Sequence, residues 1–132
     1  MTAGEILRRA GISVGAVRLA LPRVDPDGVR VSVARSWFRM FWAPGITALA
    51  LPWGVYLHPK RLNASAERLG VLLVHELTHV EQWRRLGTIG WLRCYLGDYL
   101  RRRRHGMAHF EAYRANPLEV EARALAGTFA TG

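Results

Sequence analysis

Two histidines and a glutamate lie within five residues of one another near the middle of the chain. His75, Glu76 and His79 form the pattern H-E-x-x-H. On a helix, residues four apart project from the same face, so both imidazoles can bind one Zn²⁺ while Glu76 lies beside a metal-bound water. The motif predicts a hydrolytic zinc site with His75 and His79 as ligands and Glu76 as the general base.

The residues around this motif favour a helix over about 64–86. The segment 71–83 is largely apolar and contains no Gly or Pro, Asn63 or Ser65 can act as the N-cap, and Gly87 can end the helix. Burying three motif side chains without a partner is costly, and a metal is a natural partner. The alternative is a buried helix whose two histidines are only hydrogen-bonded core residues.

A catalytic zinc site needs a third protein ligand and an open position for water. The sequence offers several downstream candidates: His105, His109, Glu111, Glu119 and Glu121. Glu119 and Glu121 lie at opposite edges of the apolar face of the last predicted helix, so periodicity alone does not choose between them. Glu119 also has a structural explanation, because it stands three residues after Asn116, at the last position of a capping box.

The other elements indicate an α+β fold in a single domain, 1–132. A short N-terminal helix begins after Thr2, the segment 29–33 alternates as a strand, and 46–51 and 53–57 resemble a hairpin. Three further helices are predicted at about 91–104, 107–114 and 117–129. We therefore expect a small antiparallel sheet packed on the motif helix, followed by a mainly helical C-terminal half.

The composition limits the class of protein. Half of the 132 residues are hydrophobic, which argues against disorder, and no apolar stretch reaches the ~20 residues of a membrane span. The single cysteine, Cys94, excludes an internal disulfide, and with no evident secretory signal it favours the cytoplasm. The net charge of +9 favours anionic partners. Nucleic acid is one candidate but is not favoured, because the cluster 101–104 is more typical of a solvated helix end.

The strand pair, the motif helix and a downstream helix carrying Glu before a small residue resemble the gluzincin metallopeptidases, and the size resembles the single-domain minigluzincins. In many gluzincins the glutamate ligand opens an E-x-x-A-D pattern. Laid on 119–123, this pattern implies that Glu119 is the third zinc ligand. Arg123 then stands where the family often has an Asp that buttresses a zinc-bound histidine. The resemblance implies a zinc-dependent peptidase that holds its substrate along an edge strand.

Other interpretations remain open at this point. A catalytically weak zinc-binding interaction module with gluzincin architecture is one of them. Another follows from His105-Gly106 after a basic stretch, which resembles the third-histidine region of SprT-like proteases that act on DNA-bound proteins. His109 and Tyr113 can serve as donors to an oxyanion. The aromatic cluster 37–42 is interpreted as core or as a lid over the site.

Overall fold

The computed structural model describes residues 1–43 and 45–130 of the chain. Its helices are α1 (Ala3–Arg9), α2 (Val14–Ala20), α3 (Ser36–Arg39), α4 (Ala66–Arg104), α5 (His109–Ala115) and α6 (Pro117–Phe129). Its strands are β1 (Arg30–Val33), β2 (Ala48–Leu51) and β3 (Gly54–Leu57). The predicted α+β fold with a helical C-terminal half is confirmed; α2 was not predicted.

The three strands form one sheet in the order β1-β3-β2. β2 and β3 are the predicted antiparallel hairpin, and β3 lies between its two neighbours. β1 runs parallel to β3, so the sheet is mixed and not antiparallel throughout as expected. Side-chain alternation identifies a strand but does not encode the direction of the strand beside it, which explains the error. This order leaves β2 at an edge of the sheet.

Helix α4 is the central element of the molecule. Ser65 caps its first turn by accepting a hydrogen bond from the Arg68 amide at 3.3 Å. From Leu73 to Trp83 nearly every side chain is buried, as expected for a helix surrounded by other elements. At Gly87 the backbone has φ 74° and ψ 166°, which interrupts the helix. We call the two parts the motif arm (66–86) and the basic arm (88–104).

The hydrophobic core lies between α1, the sheet and the motif arm. Its fully buried side chains include Leu7, Val17, Val55, Leu57, Leu73, Leu77 and Val80. α1 approaches the motif arm so closely that a methyl group at Gly70 would collide with Ala10. Within the described residues, no helix combines the length and apolar composition needed to cross a membrane.

The last two helices, α5 and α6, pack against α4. Asn116 caps α6 by accepting a hydrogen bond from the Leu118 amide at 3.1 Å, and Pro117 occupies the first turn. Leu118, Ala122 and Ala126 of α6 are buried. This packing against α4 places the first turn of α6 opposite the motif histidines.

Candidate metal and catalytic site

His75, His79 and Glu119 converge in the interior between α4 and α6. The Nε2 atom of His75 lies 3.1 Å from Oε2 of Glu119, and Nε2 of His79 lies 3.1 Å from Oε1. The two Nε2 atoms are 3.2 Å apart. These three residues form a group that can hold a metal ion.

The spacing of these atoms fits a small tetrahedral metal ion. Two donors bound at the 2.0–2.1 Å typical of zinc would lie about 3.3 Å apart along an edge of the tetrahedron. The separation of 3.2 Å between the two Nε2 atoms is close to that value, as are the two 3.1 Å separations to Glu119, which His75 and His79 make to different carboxylate oxygens. Two imidazoles and one carboxylate are also the ligand types of catalytic zinc sites, which leave the fourth position open.

Glu119, and not Glu121, faces the histidines. Glu119 is only 4% exposed, whereas the side chain of Glu121 is 46% exposed and pairs with Arg85 at 3.2 Å. Glu119 does not form the capping-box hydrogen bond to the Asn116 backbone amide that the sequence allowed. The Asn116 side chain caps the helix, and the Asn116 backbone amide donates to the Tyr113 carbonyl at 3.3 Å.

A second layer of hydrogen bonds orients the group. Oε1 of Gln82 lies 2.8 Å from Nδ1 of His79, and the Gln82 amide nitrogen donates to the Leu118 carbonyl at 2.9 Å. The Tyr95 hydroxyl donates to Oε1 of Glu119 at 3.2 Å. Such partners fix ring orientation and ligand basicity in metal sites.

Arg123, at the position where many gluzincins have Asp, forms no hydrogen bond with either histidine. Its guanidinium donates to the Arg114 carbonyl. The buttress of His79 comes instead from Gln82, one helical turn further along the motif arm. The departure at position 123 therefore does not leave His79 without a hydrogen-bonded partner.

Burial and charge shift the pKa values of three site residues. Burial raises the pKa of Glu76, against the opposing effect of His79 and His75. For Glu119, burial acts upward, but hydrogen bonds from His75 and His79 outweigh it and hold its pKa well below the usual range. For His79, burial acts downward, but the hydrogen bond to Glu119 and its charge raise the pKa to about 9. The site is a tightly coupled ionic cluster.

No protein-family model matches this chain, and comparison with curated proteins and with solved structures gives no match. The resemblance to gluzincins therefore stays a prediction from the sequence.

Two clefts open onto the cluster, and Glu76, Tyr113 and Glu119 line both. The first, the basic cleft, has a volume of about 550 Å³ and is lined by four arginines: Arg61, Arg68, Arg114 and Arg123. The second, the aromatic cleft, has a volume of about 350 Å³ and is lined, besides Tyr113, by five further Phe, Trp and Tyr side chains: Phe41, Trp42, Trp91, Tyr95 and Tyr99. The edge strand β2 borders both clefts through Ala48.

The other predicted residues lie at different distances from this cluster. His105 ends the basic arm, where its ring bonds the Arg101 carbonyl at 2.8 Å, and it lines a separate surface cleft with Glu111. His109 lines the aromatic cleft, but its Nδ1 is bonded to the Tyr99 hydroxyl at 2.6 Å. Neither histidine joins His75 and His79.

Part of the aromatic cluster 37–42 does border the site, as the lid interpretation expects. Phe41 and Trp42 line the aromatic cleft, whereas Trp37 is 61% exposed on another surface. Only a portion of the cluster therefore faces the candidate site.

Gln82 and Tyr95 are the site residues that sequence reasoning missed. Gln82 stands three residues after His79, so helical spacing could have identified it as a partner of that ring. Tyr95 lies beyond the break at Gly87, so its position depends on the angle between the two arms of α4. Its ring continues a stack with Trp91 at 4.7 Å, and Trp91 stacks on Trp83 at 4.0 Å.

Proposed function

We propose that the protein is a zinc-dependent peptidase whose ligands are His75, His79 and Glu119. The observation that carries the proposal is the convergence of a glutamate from α6 on the two motif histidines, with Glu76 lining both adjoining clefts. A zinc ion held there would supply a Lewis acid that polarises the scissile carbonyl and lowers the pKa of water. The free, exposed Cys94 is compatible with the cytoplasm as the proposed location.

Glu76 is the proton carrier in this mechanism. Its carboxylate accepts a proton from water as the water oxygen bonds to the peptide carbonyl carbon, and it returns that proton to the amine as the C–N bond breaks. Burial raises its pKa, which makes the carboxylate a stronger base. Tyr113 also lines both clefts, and its pKa is raised by burial and by the charge of Glu119, so its hydroxyl keeps its proton as a donor.

The edge strand β2 offers a place for the substrate backbone. The His58 amide donates to the Thr47 carbonyl, so Thr47 and His58 form a hydrogen-bonded pair of the β2–β3 ladder. Because such pairs alternate along antiparallel strands, the backbone amides and carbonyls of Ala48 and Ala50 point away from β3. The Trp83 indole donates to the Ala50 carbonyl at 3.0 Å, which occupies one of these outward groups. The Ala48 amide and carbonyl can then form main-chain hydrogen bonds with an extended peptide that adds to the sheet as a strand.

The two clefts define the substrate by their chemistry. An extended peptide lying along β2 would place one side chain toward the aromatic cleft and another toward the arginines of the basic cleft. We propose that the preferred peptide carries a bulky apolar residue on one side of the scissile bond and an acidic residue on the other.

The experiment is hydrolysis of an unfolded protein by the zinc-loaded chain, compared with Glu76→Gln. The variant should keep its zinc and its fold but lose hydrolysis, because an amide cannot accept the proton. His75→Ala and His79→Ala should each lose most of the zinc. Equal activity in wild type and Glu76→Gln would refute the proposed role of Glu76. Zinc binding without hydrolysis in the wild type would favour the interaction-module interpretation.

A further inference from the structure

The outer face of the basic arm combines exposed apolar and basic side chains. Four apolar residues, which we call the outer stripe, are exposed by 74, 39, 50 and 52% respectively: Ile89, Leu92, Leu96 and Leu100. At 100° per residue they lie, together with Arg93, Arg103 and Arg104, within about 60° of the direction of Ile89. This face of the helix is therefore both apolar and cationic.

The opposite face of the arm is partly buried and contains its only acidic residue. Asp98 is 6% exposed and pairs with Arg101 at 2.7 Å and with Arg102 at 2.8 Å. Since 88–104 contains no other Asp or Glu, no carboxylate of this arm opposes the charge of the outer face.

We propose that the outer stripe docks the protein onto an anionic lipid bilayer. A helix face that combines apolar side chains with arginines can lie in the plane of a membrane interface, with the apolar groups in the acyl boundary and the long arginine side chains extended so that their guanidinium groups reach the headgroups. The basic arm of 17 residues (88–104) is roughly 25 Å long, enough for several lipid contacts. Leu96 also lines the aromatic cleft, so the docked surface adjoins that cleft.

Charge complementarity selects the bilayer over other occupants. Two copies paired through the stripe would bring Arg93, Arg103 and Arg104 of each chain together, in a protein whose net charge is already +9. Nucleic acid would satisfy the arginines but would leave the stripe exposed to water. An anionic bilayer would bind the arginines through its headgroups and bury the apolar stripe. This inference does not depend on zinc or on hydrolysis.

The test is flotation of the full chain with vesicles of phosphatidylcholine, with and without phosphatidylglycerol. We expect binding to the anionic vesicles, much weaker binding to the neutral ones, and partial loss of binding as salt is raised. Ile89→Glu and Leu100→Glu should each weaken binding more than ten-fold. Leu19→Glu, at an exposed leucine elsewhere, is the matched control and should weaken it far less.

A second pair of variants separates the electrostatic contribution. Arg103→Gln should weaken binding about five-fold, in line with the energy of one arginine at an anionic surface. Arg30→Gln removes the same charge from an exposed position on β1 and should have a smaller effect. A fluorophore on Leu100→Cys, in a Cys94→Ser background, should shift to the blue with anionic vesicles, whereas one on Leu19→Cys should not.

Three results would overturn the proposal. The first is no binding to anionic vesicles. The second is equal loss of binding in the Leu100→Glu variant and the Leu19→Glu control. The third is self-association that the stripe variants abolish, without vesicle binding, which would assign the stripe to a second copy of the chain.

Discussion

Gln82 joins the first turn of α6 to the ring of His79. Its Oε1 lies 2.8 Å from Nδ1 of His79, while its amide nitrogen donates to the carbonyl of Leu118, the residue before Glu119. Because Gln82 is fully buried, this link cannot be replaced by bulk water. One side chain therefore fixes the position of two proposed ligands relative to each other.

Gln82→Ala should reduce zinc affinity by roughly ten- to a hundred-fold, because His79 loses the partner that orients its ring. A competition titration against a chromophoric chelator measures this. Arg84→Ala is the control, since Arg84 is exposed and donates to the Arg23 carbonyl, away from Gln82 and His79. Unchanged affinity in Gln82→Ala would mean that the link does not support the site.

The choice of Glu119 as ligand predicts different effects for the two neighbouring glutamates. Glu119→Ala should lower zinc affinity far more than the ~1 kcal/mol expected from losing a helix-capping contact. Glu121→Ala should lower zinc affinity far less, because Glu121 is half-exposed, pairs with Arg85, and touches the site only by accepting from Gln82, which keeps its bond to the Leu118 carbonyl. The opposite pattern would move the ligand to another face of α6.

The hydroxyl of Tyr113 is expected to stabilise negative charge on the carbonyl oxygen during hydrolysis. Tyr113→Phe should lower kcat by about a hundred-fold with little change in KM, the usual effect of removing one such donor. Tyr56→Phe is the control, since the Tyr56 hydroxyl accepts from Trp53 and lines another groove. An unchanged kcat in Tyr113→Phe would exclude this role.

Acid should weaken the ion pairs that connect α1 and α2 to the turn before β1. The hydrogen bond from Arg8 lowers the pKa of Asp27 in the folded state, so its stabilising effect is present above the unfolded pKa of about 3.9 and is lost as pH falls through the folded value. Asp27→Asn should therefore be less stable than wild type at pH 7, and the two should converge in strong acid.

Thermal unfolding of wild type and Asp27→Asn between about pH 7 and pH 2 measures this convergence. Glu67→Gln, at an exposed position on α4, is the control and should follow the wild-type profile. Parallel profiles for wild type and Asp27→Asn would show that the ion pair with Arg8 does not contribute.

Local sequence signals predicted much of the fold. The caps at Thr2, Ser65 and Asn116 each accept the expected kind of backbone hydrogen bond, and Gly87 interrupts α4 where a stop was predicted. These features depend on residues within one turn of each other, which a sequence displays directly.

The remaining features depend on contacts between distant segments. The parallel pairing of β1 with β3 joins strands more than 20 residues apart, and the choice between Glu119 and Glu121 depends on how α6 rotates against α4. Helical spacing left both glutamates at an edge of the buried face, and only packing places Glu119 inside. Tyr95 reaches Glu119 because the basic arm changes direction at Gly87.

The most direct test of the proposed metal centre is anomalous scattering at the zinc edge from crystals of the protein. We predict a single strong peak about 2.0–2.1 Å from Nε2 of His75, Nε2 of His79 and a carboxylate oxygen of Glu119, with the fourth position facing the clefts. A zinc-supplemented crystal with no peak there, or a peak whose third ligand is Glu121, His105 or His109, would contradict the account.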